Sequence, residues 1–504
     1  MTLLNDLPDN TDALQQQMQQ HRLGLVGNDG AFLPAPVSLT PWTLDAALWQ
    51  QAKLLADGLH LLLSQLITRP ALLQQASAGL LASQSVPGAL TRQLQAIGFF
   101  EKSPLCSPQN HAVALMRHDF LLDTAGQWRW VESNSIAAGM GPLNQAWLNL
   151  AREVLPNATQ TAAANPALPR QAAQLAEAAW AQARRHQASS ACVAFVVAAD
   201  EDNLYDQQLL ADAIAAHGVI VRRLTLMQLQ QCQLDGAQRL RDADGTVLDL
   251  LYWRTGYNPA DYYPTDGAFD ALWQLRAQLE TADVAQCPTM ALQLVSSKYV
   301  QAWLSQQLLD PALRRDLAAQ LVVAEPVLAA LAKTCVPQQF LTSLSDRAML
   351  QLLDRGWWYK RQDEGGGNVA RGDMALTWAK QRDAGDLLMA PIAGQVRREA
   401  MLWLRAGEWR QPTAVLSELG VFTGEPLTPS LAWSATTNET AQPCISMDRQ
   451  STSAEERAPS GGYDSALIQV PARYAGYLLR SKPAEQLEGG VHRGGAVLDL
   501  LVLA

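Results

Sequence analysis

A chain of 504 residues, 48% of them hydrophobic, is too long for one simple core and predicts two or three domains sharing a large interior. A net charge of −10 and a pI near 5.3 exclude a nucleic-acid or anionic-membrane binder, which needs a basic face. The six cysteines are scattered without a C-x-x-C pair, no apolar run approaches the roughly 20 residues of a membrane span, and the start carries Asp6, Asp9 and Asp12 instead of basic residues; a globular protein of the reducing cytoplasm is expected.

Residues 1–185 are rich in Ala, Leu and Gln and read mostly as helices, with helical apolar spacing over Leu44–Leu66 and Gln171–Arg185. Between these, Ala112–Ser135 holds two alternating arms around Asp123-Thr124-Ala125-Gly126, the pattern of a hairpin. From 186 to 297 strand and helix alternate. The apolar run Ala191–Ala198, the helix Leu204–Ala216, and the strands Val219–Leu224 and Thr246–Trp253 predict a small parallel α/β domain, which the helix Asp270–Leu279 leaves. Helices are also expected over Leu313–Ala324 and Val327–Ala332, separated near Pro326. The last part, 298–504, turns β-rich and Gly-rich. Its strand candidates are Trp357–Lys360, Leu387–Met389, Glu399–Arg405 and Ala414–Leu419, and residues 425–464 read as a long surface insertion.

The strongest chemical signal is Lys360-Arg361-Gln362-Asp363-Glu364-Gly365-Gly366-Gly367-Asn368. Three successive glycines let backbone N–H groups converge on an anion, and Lys360 adds a point charge. A carboxylate beside a phosphate makes sense when it binds Mg²⁺, which is the reading for Glu364. A hinge between strands would use the same glycines. In Glu132-Ser133-Asn134 the outer residues share a strand face and could offer two oxygens to one hard cation, although an exposed polar hairpin face reads the same way. Arg117 on the hairpin, Arg254 at a strand end and Arg480 near the C-terminus are candidate carboxylate or phosphate grips, as well as candidate surface ion pairs. A second glycine loop, 485–496, contains Gly489-Gly490-Val491-His492-Arg493 and could close over a substrate.

Read in order, the motifs resemble the eukaryotic-type glutathione synthetases of the ATP-grasp superfamily. The matching stretches include Arg117-His118-Asp119, Glu132-Ser133-Asn134, Glu201-Asp202-Asn203, Tyr252-Trp253-Arg254-Thr255-Gly256-Tyr257, Lys298, Lys360–Asn368, Ser417-Glu418-Leu419-Gly420 and Arg480-Ser481-Lys482. The resemblance implies an α/β, multi-domain ATP-grasp fold in which 1–185 and 298–504 form the body, 186–297 is an inserted substrate domain and about 340–415 is a lid. It implies ATP contacts at Lys298, Lys360, Gly365, Gly366, Gly367, Asn368, Met389, Glu418 and Lys482. Two Mg²⁺ ions would be held by Glu132, Asn134 and Glu364. Donor and acceptor would be bound by Arg117, Glu201, Asn203, Gln207, Arg254, Tyr257, Arg480, Val491, His492 and Arg493, with Arg117 and Arg480 in the catalytic role. The implied partners are ATP, a γ-glutamyl peptide and glycine, acting in a homodimer, through an acyl phosphate.

The sequence departs from the pattern at four places: Ala137 and Gly139 stand where the family has serines, His492 and Arg493 replace two small residues, Ala390-Pro391 and Val369 thin the ATP contacts, and 425–464 exceeds a short connection. Three functions stay open: the family's own ligation, a sister ligase with another acceptor or acyl donor, and a binding protein without catalysis.

Overall fold

The computed structural model describes residues 11–27, 29–101, 112–262, 269–364, 366–399, 401–405, 407–427, 473–487, 489–491 and 494–504. Gly365, His492, Arg493 and most of the expected insertion lie outside these residues. The long apolar helix α1 (Ala46–Ile67) is capped by Asp45, whose carboxylate accepts from the amides of Ala47 and Leu48. Its buried face joins the large core that also takes in the hairpin tryptophans.

The hairpin comprises β1 (Ala112–Leu122) and β2 (Trp128–Asn134), turning where Asp123 accepts from the amides of Ala125 and Gln127. Behind it come α2 (Gly141–Val154) and α3 (Ala167–Arg185). Next follow β3 (Ala191–Val197), α4 (Leu204–Ala215), β4 (Val219–Thr225), β5 (Leu250–Trp253) and β6 (Ala285–Cys287), all four strands parallel to their neighbours. β3 is buried at every position, as its unbroken apolar run requires. These strands do not stand apart: β6 pairs parallel with the first residue of β1, so the parallel layer continues edge to edge into the central sheet.

Helix α5 (Lys298–Leu309) leads to a smaller four-stranded antiparallel sheet of β7 (Gln338–Phe340), β8 (Trp358–Lys360), β9 (Val369–Ala370) and β10 (Leu387–Met389), ordered β7-β10-β8-β9. The helices α6 (Asp346–Asp354) and α7 (Gly372–Ala379) cover it and share its separate core around Tyr359 and Leu388. The sequence reading gave this region strands and no helix over 372–379; a Gly start and a single turn of apolar residues hid α7. After it, β11 (Val415–Leu427) and β12 (Tyr474–Pro483) form the antiparallel centre of the main sheet, β11 lying between β1 and β12. Among the described residues thirteen strands share that main sheet. Strands are also present between 24 and 44, within the stretch 1–185 that reads mostly as helices.

Candidate active site

A cleft of about 450 Å³ lies between the main sheet and the smaller one. β1 brings Arg117 to it, β2 brings Glu132 and Asn134, β11 brings Glu418, and β12 brings Arg480 and Lys482. From the small sheet come Lys360 and Met389, then Glu364, Gly366 and Asn368 from the glycine loop. Lys298 enters as the first residue of α5, just after the capping Ser297. At the opposite end stand Glu201, Asn203, Arg254 and Tyr257, on the loops that follow β3 and β5, where parallel sheets present ligand sites; Val491 closes one side. Gln207 and Gly367 do not line the cleft. Gln207 sits behind it, donating to Glu201 at 2.5 Å and accepting from Arg223 at 2.8 Å.

The end with the lysines is built from opposed charges. Lys298 Nζ donates to Glu364 Oε1 at 2.5 Å and to the Asp363 carbonyl at 2.8 Å. Burial works against the charge on Lys298, but Glu364 and Glu132 outweigh it and hold its pKa above the ordinary value. Lys360 is pushed down, first by burial and then by Lys298, against the pull of Glu132. Burial and the like charge of Glu132 raise Glu364 despite Lys298. For Glu132, burial opposes ionisation, yet Lys298, Lys360, Arg480 and Arg117 together bring it down to about 2. Asn134 Nδ2 lies 3.3 Å from Glu132 Oε1, so the two residues do share a face. Gly366 and Gly367 both have φ near +80°, at +83° and +80°, the left-handed backbone a nest of amides needs.

Two further strands hold the arginines. Asp119 takes Arg117 through both oxygens, at 2.7 and 2.8 Å, and accepts from Arg480 Nη2 at 3.0 Å. Arg480 also bonds Glu418, its cross-strand partner on β11. Burial disfavours the Arg480 charge, but Glu418, Asp119 and Glu132 more than offset this and keep it protonated. Across the strands, Gly420 faces Asp119: a Cβ there would come within 2.6 Å of Asp119 Oδ1 and 2.7 Å of Arg117 Cδ. Behind β2, His118 Nδ1 meets Ser133 Oγ at 2.8 Å and Nε2 meets Thr423 Oγ1 at 3.0 Å, a buried string against the back of the Glu132–Asn134 segment.

Residues 13–503 match the family described as eukaryotic glutathione synthase, ATP binding domain. The chain belongs to that family. The glutathione synthetases of Mus musculus and Homo sapiens are each 25% identical to it over 92% of this chain and 89% of their own length. The chloroplastic glutathione synthetase of Solanum lycopersicum is 25% identical over 93% of this chain and 78% of that relative. Among solved structures, a glutathione synthetase-like effector from Globodera pallida shares the fold with a TM-score of 0.65, covering 99% of both chains at 15% identity. This member of the eukaryotic glutathione synthase family is thus an ATP-dependent ligase of ATP-grasp type.

Several residues that shape its cleft escaped the sequence reading. The sequence assigns Asp119 no role, and only the pairing of β1 with β11, and of β11 with β12, makes it the shared partner of two arginines. Trp358 and Arg371 line the cleft on the small-sheet side, and Ile392, Val396 and Leu416 supply an apolar wall. Asp206 and Asp261 tie down backbone at the opposite end of the cleft through main-chain amides. No motif flags such carboxylates, because their partners are main-chain groups brought close by folding. Among the described residues no three His, Cys, Asp or Glu side chains gather as a metal cage. Two carboxylates and an amide remain: Glu132, Glu364 and Asn134.

Proposed function

We propose that the chain joins the carboxylate of γ-glutamylcysteine to the amine of glycine at the expense of ATP. One observation carries this reading: a single cleft unites Lys298, Lys360, Glu132 and Glu364 with Arg117 and Arg480 and, at its far end, with Asn203, Arg254 and Tyr257. Lys298, Lys360 and the glycine-loop amides would seat the ATP phosphates, with Met389 and the apolar wall beside the adenosine. Arg117 and Arg254 would hold the donor acid in line. One carboxylate oxygen then attacks the γ-phosphorus, the bond to ADP breaks, and an acyl phosphate forms; the amine attacks its carbonyl carbon, phosphate leaves, and the amine sheds a proton. Arg480 would neutralise charge gathering on the phosphoryl oxygens, which suits a reaction that asks for positioning and electrostatics more than for a nucleophile. The small sheet with its glycine loop would keep water from the acyl phosphate.

Glu132, Asn134 and Glu364 fit Mg²⁺, two ions by the family's pattern. Hard oxygen donors, few of them charged, match an ion that keeps waters and leans on substrate phosphates. The mutual repulsion of Glu132 and Glu364 is what a divalent cation relieves. When bound, magnesium supplies positive charge to the phosphate oxygens. A homodimer in the cytoplasm completes the proposal.

A second reading, a sister ligase with a different acyl donor, is favoured by Gly139. Both are tested by incubating the protein with ATP, Mg²⁺, γ-glutamylcysteine and glycine, and following products by mass spectrometry. A glutathione mass with matching ADP is the expected result. ADP only with other acids or amines would establish the sister ligase, and no ADP with any substrate would overturn the ligation.

A further inference from the structure

β1 and β2 do not pair residue for residue. Arg117, His118 and Asp119 lie opposite Asn134, Ser133 and Glu132, but Phe120 lies opposite Trp130, so β2 carries one residue, Val131, that β1 does not match. A bulge of this kind changes the face that a strand shows. Before it, Trp128 and Trp130 are buried in the core; after it, Ser133 is the buried residue, while Glu132 and Asn134 line the cleft. Strict alternation would put 128, 130, 132 and 134 on one face. In an unbulged register Glu132 would stand opposite His118 in the core, and Ser133 would take the place of Asn134 opposite Arg117.

The extra residue is held from both sides. On the core side Trp130 Nε1 donates to Ser133 Oγ at 3.0 Å, and His118 Nδ1 lies 2.8 Å from the same oxygen. Side chains three apart on an even strand point to opposite faces, so the bond from Trp130 to Ser133 staples the bulge. On the other side the Val131 carbonyl accepts from Gln301 Nε2 at 2.9 Å and has Lys360 Nζ at 3.5 Å. Gln301 follows Lys298 by one turn of α5, on the same side of that helix. It is buried, and its Oε1 has no hydrogen-bond partner among the described residues. An apolar side chain would fill that place without an orphaned oxygen, so the bond to the bulge is what distinguishes glutamine there. Lys360 can leave the Val131 carbonyl for a phosphate while Gln301 stays.

We infer that Gln301 and Ser133 are positioning residues for a divalent cation: they fix the one-residue bulge at Val131, and the bulge turns Glu132 and Asn134 out of the core and into the cleft. The inference deepens the proposed function and rests on its reading of Glu132 and Asn134 as cation ligands. Neither positioning residue touches the ion. Each acts through the backbone that carries its ligands, as groups behind a metal site do.

The test uses the full chain with Gln301→Met, Ser133→Ala, Ser133→Thr and, as the ligand control, Glu132→Gln. Mn²⁺, a hard cation visible by electron paramagnetic resonance, is titrated in the presence of a non-hydrolysable ATP analogue. Gln301→Met and Ser133→Ala are each expected to weaken Mn²⁺ binding by about tenfold. Ser133→Thr keeps the hydroxyl and should stay within about twofold of the unsubstituted protein. The free Mg²⁺ needed for half-maximal ADP release should rise about tenfold in the first two variants, with kcat at saturating Mg²⁺ changed by less than about threefold. General loosening of the fold does not produce that split. The Ser133 pair decides the matter by itself if Gln301→Met does not fold. Unchanged Mn²⁺ affinity in Gln301→Met and Ser133→Ala, with Glu132→Gln impaired, would overturn the inference and leave the ligands standing. So would a fall in kcat with an unchanged Mg²⁺ requirement, or a threonine no better than alanine at 133. Unchanged Mn²⁺ affinity in Glu132→Gln would overturn the ligand reading and this inference with it.

Discussion

The two ends of the cleft use carboxylates in opposite ways. At the lysine end, Glu364, Glu418 and Asp119 accept from Lys298, Arg480 and Arg117, side chain to side chain. At the opposite end, Asp206 and Asp261 hold main chain instead. Asp206 accepts from the amides of Met140 and Leu143, and Asp261 from those of Gly256, Tyr257 and Asn258 at 2.8, 3.1 and 3.1 Å. Ion pairs between side chains can exchange partners when a phosphate or a cation arrives. Carboxylates bonded to backbone cannot do so without unmaking a loop. The lysine end is thus a set of charges waiting to be re-paired, and the opposite end a preformed shape.

The sharpest way to break this comparison is Asp119→Asn. It removes the shared partner of the buried Arg117 and the part-buried Arg480, and breaking a buried pair costs roughly 3–5 kcal/mol. Denaturant unfolding should show a loss of that size, and ADP release should fall by about two to three orders of magnitude; near-normal turnover would mean that the arginines are held by something else. A smaller effect is expected from Asp261→Asn. The loop Gly256–Asn258 should loosen, raising the donor KM about tenfold while ATP KM and kcat stay close to their starting values. A fall in kcat with unchanged donor KM would erase the distinction between the two ends.

The smallest effect is read from pH. Burial holds His118 neutral, its pKa lowered from 6.5 to about 3. The unfolded chain therefore takes up a proton below 6.5 that the folded chain refuses, so this contribution to stability is whole above 6.5 and drains as pH falls toward 3. The loss between 6.5 and about pH 5.5 is about 1 kcal/mol. Subtracting the urea stability profile of His118→Asn should isolate it, and parallel profiles would show that the string behind Ser133 carries no such cost.

Much of this was legible beforehand where pattern and chemistry coincide. The hairpin over 112–135 announced itself by alternation around Asp123–Gly126. The buried strand Ala191–Val197 did so by its apolar run, and the loop after β8 by its glycines and Lys360. Boundaries failed where tertiary pairing overrides local preference: β11 runs to Leu427, far beyond the expected Leu419, because β1 lies alongside it for that whole length. The pairing of Asp119 with Arg480, 361 residues away in sequence, belongs to strand register, and no local motif encodes that.

The central hairpin has one consequence for how this chain can vary. β11 and β12 are adjacent, and Thr423 still pairs with Tyr474 where the chain leaves for residues 428–472 and returns. The cross-strand pair Glu418–Arg480 lies five residues back along β11 from Thr423, about 17 Å away. Exit and entry thus share one fixed doorway, and whatever is threaded between them has its ends already brought together. Lengthening a flexible connection whose ends are held together costs only about 0.6 kcal/mol for each doubling. The stretch between β11 and β12 is therefore a place where sequence can be added, trimmed or replaced by a fused domain without moving the strands that line the cleft.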